Sequence, residues 1–159
     1  MDSGNIGFVL LCAAFVFVMT PGLAMFYGGL VRKKNVVNTM MTSIFIIGIG
    51  IVMWVLFGYS LSFAPSGNAF IGDFRWLGLE GVSLTEGYTD GASIPNMVFS
   101  AFQMMFAVIT PALITGAVAG RMKFKSIFVF TIFWSLIVYY PLAHMVWGQG
   151  GLLGADGIG

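Results

Sequence analysis

Four long stretches of this chain carry no Asp, Glu, Lys or Arg, and that pattern restricts its fold more than any other feature. Asp2 is followed by 29 uncharged residues before Arg32, and Lys34 by 38 before Asp73. Asp90 and Arg121 are separated by 30 such residues, and Lys125 and Asp156 by another 30. About 20 apolar residues suffice to cross a bilayer as a helix. A barrel strand would be about half that length and would alternate in polarity, and these stretches do not alternate. Only 8% of the residues are charged, against about a quarter in a soluble domain, so a water-exposed shell cannot be built. Soluble globular, disordered and nucleic-acid-binding classes are thereby excluded. With one cysteine, Cys12, there is no disulfide framework within the chain.

The pattern predicts an all-α, polytopic membrane domain over residues 1–159, with helices at about 6–31, 36–63, 94–120 and 126–146. The longer spans would reach about 40 Å as helices, beyond the ~30 Å hydrocarbon core, so tilt, kinks or frayed ends must absorb the excess. Pro21 and Pro111 lie inside spans, where each removes a backbone donor and can kink the helix. The first span lacks a basic leader and is too long for a signal-peptide core, so it is expected to stay in the protein. Six of the seven basic residues (Arg32, Lys33, Lys34, Arg121, Lys123 and Lys125) follow the first and third spans. Asp2, Asp73, Glu80, Glu86, Asp90 and Asp156 fall on the opposite side, with Arg75. The positive-inside rule places the basic turns in the cytoplasm, both termini outside, and the Gly-, Ser- and acid-rich loop of about 64–93 outside.

Small residues at four-residue spacing let membrane helices approach closely. Ala112, Gly116 and Gly120 form such a stripe in the third span, and Ala24 and Gly28 in the first; a helix contact is the expected role of each. No phosphate loop, HExxH pair or nucleophile elbow occurs. The spans contain no acidic residue from which a proton relay could be built, and a single histidine, His144, cannot make a metal site. The expectation is no enzyme, no cofactor and no metal, which leaves channel, carrier or receptor. His144, near the outer end of the fourth span, reads as an interfacial histidine bonded to backbone or water. Phe102 and Phe106 share one face of the third span, and Trp147 ends the fourth. They suit either packing and an interfacial belt, or a small cation held over ring faces at roughly 0.5 to 2 kcal/mol.

Several segments carry a family resemblance. Pro21-Gly22-Leu23-Ala24-Met25-Phe26-Tyr27-Gly28-Gly29-Leu30-Val31-Arg32, continuing through Lys33-Lys34-Asn35-Val36, resembles the first-helix signature of the ammonium transporter, methylammonium permease and Rhesus protein family. Trp54 with Phe57-Gly58-Tyr59-Ser60-Leu61-Ser62-Phe63 resembles its second helix. Ala101-Phe102-Gln103-Met104-Met105-Phe106-Ala107 resembles the pore-facing part of its third. Ala143-His144-Met145-Val146-Trp147-Gly148, with Gly150-Gly151-Leu152-Leu153, resembles the end of its fourth. The matches run in order along nearly the whole chain.

The resemblance implies ammonium or ammonia transport across the plasma membrane. Ammonium would be recruited by Trp147 and Phe106 in an outer aromatic vestibule and pass as ammonia through an apolar pore. Phe106 would be one half of a phenylalanine gate, with Phe102 and Gln103 beside it. His144 does not match the family's paired pore histidines, which lie in later helices. The family's architecture implies eleven helices in an inverted repeat, of which this sequence matches the first part. It further implies a homotrimer in membrane lipid, a possible cytoplasmic PII-type regulator and no nucleic-acid partner. Asp156 lies near the family's aspartate motif but in a different context, and is not expected to replace it. The alternatives are an ammonium-sensing module of a signalling protein, or a truncated remnant without transport of its own.

Overall fold

The computed structural model of the chain describes residues 1–65 and 68–154; Asp156 lies outside them. Among the described residues all regular structure is helical, as the composition requires of a polytopic membrane domain. Four helical stretches are long and apolar enough to span a bilayer: Ser3–Leu30, Lys33–Phe63, Asn96–Val118 and Phe124–Trp147. The regular α-helices within them are α1 (Ser3–Leu30), α2 (Val36–Met53), α3 (Tyr59–Phe63), α4 (Asn96–Val118), α5 (Phe124–Trp134) and α6 (Tyr140–Trp147). They contribute to two compact units, residues 1–51 with 83–131, and residues 52–82 with 132–159.

In the first unit, helix ends are set by capping chemistry. Asp2 accepts from the Gly4 amide at 3.0 Å and donates its own amide to the Ser93 carbonyl at 2.9 Å, so α1 starts before the apolar run. A carboxylate at this end also meets the positive pole of the helix. Pro95 disfavours a helical Ile94, and α4 therefore begins at Asn96 rather than at 94. Its first amides are taken by the preceding loop: Asn96 donates to the Glu86 carbonyl at 2.8 Å and Met97 to that of Ser83 at 3.1 Å. Tyr88 of this loop stacks on Phe99 at 4.8 Å between ring centroids. The far end of α4 leaves helical geometry at Ala119, and Gly120 takes a left-handed φ of 71°.

Helix α1 packs on α4 through the small residues. A side chain at Gly116 would overlap the Tyr27 ring, and the Tyr27 hydroxyl donates to the Leu113 carbonyl at 3.0 Å. Ala24 and Ala112 are buried nearly completely. Gly28 faces Met40 of α2, so both small-residue stripes mark helix contacts. Between α2 and α4, Ser43 and Thr115 hydroxyls lie 3.1 Å apart, and Thr115 donates to the Ala112 carbonyl at 2.7 Å. Ile46, Ala112 and Ile127 form the apolar core around which α2, α4 and α5 meet. Phe8, Phe15, Val18, Met25 and Phe26 remain exposed along α1, an apolar surface suited to hydrocarbon.

The second unit departs from regular helical geometry in two places. Trp54–Gly58 and Ser135–Tyr139 are π-helical turns within the second and fourth spans. Tyr59 donates its amide to the Trp54 carbonyl and Tyr140 to that of Ser135, each five residues back. These wider turns, and not Pro21 or Pro111, interrupt the α-geometry of the spans; both prolines sit inside continuous helices. The two π turns meet where Gly58 faces Tyr140, and a Cβ at Gly58 would lie 2.8 Å from that ring. Trp54, Tyr59, Phe63 and Tyr140 form a buried aromatic cluster, with Trp76 of the loop stacked on Tyr59 at 5.5 Å.

Loop backbone closes over this cluster. The Ser60 hydroxyl donates to the Asp73 carbonyl at 2.7 Å and accepts from the Trp76 amide at 3.0 Å. Gly72 donates to the Leu61 carbonyl at 2.7 Å, in a space that a side chain would fill with backbone overlap. The Arg75 guanidinium, donating to the Asp73 carboxylate at 2.7 Å, holds that carboxyl below its ordinary range. This exposed contact is complete above about pH 4 and fades as pH falls through the lowered value.

Replacing Gly58 by Val should force the Tyr140 ring out of place and destabilise the protein by about 1–3 kcal/mol, the usual cost of overpacking. Gly48, which has open space around it, supplies the control. Thermal unfolding in detergent should show a lower midpoint for Gly58→Val than for Gly48→Val; equal midpoints would contradict the packing described.

Candidate functional site

The residues singled out from the sequence fall in both units. Phe102, Gln103 and Phe106 stand on the first half of α4, in the first unit. At i, i+1 and i+4 their side chains leave the helix within about a third of its circumference. The Phe102 and Phe106 rings meet edge to face, 5.1 Å between centroids and 80° between planes. In this geometry the positive edge of one ring points at the negative face of the other, worth roughly 0.5–1.5 kcal/mol beyond area burial. All three side chains are half-buried. The Thr110 hydroxyl donates to the Phe106 carbonyl at 2.6 Å, just before Pro111. Gln103 adds a half-buried side-chain amide to this otherwise apolar stretch.

Trp147 closes α6 in the second unit and is 59% exposed. Among the described residues no other ring stacks on it, and more than half of its surface is exposed. A tryptophan face in this state can accept a small cation or lie among lipid headgroups.

His144, one turn before Trp147, is fully buried. Its Nδ1 lies 3.1 Å from the Ser62 carbonyl oxygen and its Nε2 2.9 Å from that of Asn68. A ring N–H donates to one carbonyl or the other according to the tautomer. The ring thereby ties α6 to the end of α3 and to the loop that follows. Gly148 and Gly151 pack directly on the His144 ring and carbonyl, where a side chain would not fit. This is the backbone-bonded histidine expected from its position, buried more deeply than an interfacial one.

Sequence reasoning missed the π turns and the polar seam of Ser43 and Thr115. For the π turns there was no signal, since their wider backbone bonding leaves no mark on the apolar pattern of a span. For the seam there was none, since a hydroxyl in an apolar span bonds its own backbone as readily as a neighbouring helix.

With this geometry in hand, comparison with known proteins is informative. The sequence pattern that defines the Ammonium Transporter Family matches residues 7–158. An ammonium transporter of Bacillus subtilis (strain 168) is 51% identical over 158 residues, covering 98% of this chain and 38% of the relative. The crystal structure of Saccharomyces cerevisiae Mep2 superposes with a TM-score of 0.82 at 34% identity, covering 95% of this chain and 35% of that one. A structure titled Sensor Amt Protein superposes with a TM-score of 0.80 at 25% identity, over 96% of this chain and 35% of that one. The chain thus spans well under half the length of these relatives.

Substitution of His144 by Ala should remove the tie between α6 and the loop after α3, leaving one carbonyl without its donor at a cost of about 1–3 kcal/mol. Limited proteolysis is expected to cut the 64–82 loop faster in His144→Ala than in the parent. An unchanged cleavage rate would mean that the loop is held by other contacts.

Proposed function

This chain belongs to the Ammonium Transporter Family, and from that premise we propose that it takes part in moving ammonium or ammonia across the plasma membrane. The observation that carries the reading is the family match over residues 7–158, which includes Phe102, Gln103, Phe106 and Trp147. The protein is a multi-pass membrane protein, and its relatives are named as transporters. We propose the orientation that the basic turns favour, with Arg32 to Lys34 and Arg121 to Lys125 inside and the N-terminus outside. The domain would run from 1 to 159 as one membrane unit of a larger pore, assembled as a homotrimer and open to a cytoplasmic PII-type regulator.

In this reading Trp147 and Phe106 recruit ammonium at the outer face. The exposed indole of Trp147 supports the assignment, since a cation over a ring face gains roughly 0.5 to 2 kcal/mol. Ammonium differs from a metal ion of similar size in donating hydrogen bonds, so acceptors near the rings would favour it further. Beyond the vestibule, Phe106 is one half of an apolar phenylalanine constriction, with Phe102 and Gln103 beside it. A charge in such a constriction is costly, and no acidic residue lies within the spans to offset it. Loss of the proton before the constriction removes that cost, and neutral ammonia then passes. The proton acceptor lies outside the residues named here.

A second reading has a specific observation behind it, the superposition on the Sensor Amt Protein. There the same vestibule would report ammonium to a signalling domain rather than feed a pore. Uptake of labelled methylammonium by cells carrying the full natural chain separates the two, since saturable uptake favours transport and its absence favours sensing.

Trp147→Leu in the full protein should raise the concentration giving half-maximal uptake several-fold while leaving the maximal rate within about twofold, because roughly 1 kcal/mol of cation–π attraction is lost. Uptake with the parent's concentration dependence would remove Trp147 from the recruitment site. Phe106→Ala is expected to alter the maximal rate as well, having a share in both vestibule and constriction.

A further inference from the structure

Inside the first unit, two small cavities adjoin where the start of α2, the end of α4 and the start of α5 meet, and Thr115, Met122 and Ile127 line both. The larger, of about 40 Å3, is bounded mainly by hydrocarbon, with Ile114, Val118 and Phe130 in its wall. The smaller, of about 10 Å3, is polar: Asn38, Thr39, Thr42 and Gly120 line it as well. Gly120 can present only backbone there, and it stands just past the end of α4 at a left-handed φ of 71°.

Thr39 is 4% exposed, and among the described residues its hydroxyl oxygen has no hydrogen-bond partner. A buried hydroxyl left in this state is costly, and folded proteins almost always supply it with a partner. The neighbouring hydroxyls do not supply one. Thr42 gives its proton to the Asn38 carbonyl at 2.7 Å, and Thr115 gives its own to the Ala112 carbonyl at 2.7 Å. Each keeps lone pairs that can accept. The end of a helix likewise leaves carbonyls that no later amide of the helix can reach. What the cavity wants is a molecule that both donates and accepts.

Size and charge decide which molecule that is. A cavity needs roughly 10–15 Å3 to take one water, and the water needs about two to four polar partners. The smaller cavity meets both conditions and has no room for an organic ligand. None of its lining residues carries a charge, so an ion there would be left uncompensated. We propose that the cavity lined by Thr39, Thr42 and Gly120 binds a single water molecule, which pairs with the Thr39 hydroxyl and joins the start of α2 to the end of α4. The water extends the seam of Ser43 and Thr115 toward the basic turns. The site does not depend on the transport reading, since none of its residues belongs to the aromatic vestibule or the constriction.

The test is a crystal structure of the full natural chain at a resolution that shows buried water, with Thr39→Ser and Thr39→Val beside it. Density is expected within about 2.6–3.2 Å of the Thr39 hydroxyl oxygen and of a second polar group of the cavity. It should persist in Thr39→Ser and vanish in Thr39→Val. An empty cavity in the parent would overturn the proposal, as would a Thr39 hydroxyl turned onto the carbonyl of Asn35, one helical turn back. Thermal unfolding in detergent gives an independent reading. Valine removes only the hydroxyl, so Thr39→Val should lower the midpoint by roughly 1–2 °C if that hydroxyl holds a water. A raised midpoint would mean that an unpaired group had been removed, and would overturn the proposal. Thr39→Val combined with Thr42→Val should cost less than the two single losses added together, because both act on one water. Fully additive losses would count against a shared water. The density in the unaltered protein decides even if a variant fails to fold.

Discussion

Everything in this structure depends on the requirement that backbone amides and carbonyls find partners where no water is available. Uncharged stretches of about 30 residues leave only one solution in hydrocarbon, the helix, which satisfies its bonds within the segment. Once all four stretches are helical, burial of apolar area no longer tells one helix where to sit on another, because lipid is as apolar as leucine. The contacts that remain are those of shape and of buried hydroxyls. Gly116 admits the Tyr27 ring, Gly28 admits Met40, and Gly58 admits Tyr140. Where shape alone would leave freedom, Ser43 meets Thr115 and the Tyr27 hydroxyl reaches the Leu113 carbonyl.

The same requirement explains the loop end of the second unit. The chain that leaves α3 cannot run as bare backbone beside a buried aromatic cluster. Ser60, Gly72 and His144 therefore meet the loop's polar groups one by one. This gives the single histidine a structural task. The π turns belong to the same solution. They rotate Tyr59 and Tyr140 relative to the turns before them, so that Trp54, Tyr59, Phe63 and Tyr140 face one another, at the expense of regular hydrogen bonding.

How legible this was from sequence differs with the physics of each feature. The all-helical class followed from the absence of charge, because charge in hydrocarbon is forbidden strongly enough to leave a mark on every span. Helix ends shifted by two or three residues where caps decided them, as at Asp2 and Pro95, since the apolar pattern does not see caps. Small-residue contacts were visible as Ala24, Gly28, Ala112 and Gly116, but their partners, Tyr27 and Met40, were not; close approach needs a gap in one helix and any side chain of suitable shape in the other. The aromatic residues Phe102, Phe106 and Trp147 were legible as residues and as a family motif. Their chemistry was not, because a ring face that holds a cation and one that lies in lipid have the same composition.

The uneven distribution of charge links the two ends of the protein. Within the acidic loop the Arg75 guanidinium is held by Asp73. On the opposite side six basic residues stand without a carboxylate among the described residues, and two of them converge on a cavity. A protein free in water would lose little by mixing these signs, and a surface of mixed charge is the ordinary outcome. A membrane protein cannot mix them freely, since the inner leaflet attracts Lys and Arg while the spans between forbid compensation through the interior. The asymmetry of charge along the sequence is thus also what leaves Arg32 and Arg121 without a carboxylate partner among the described residues.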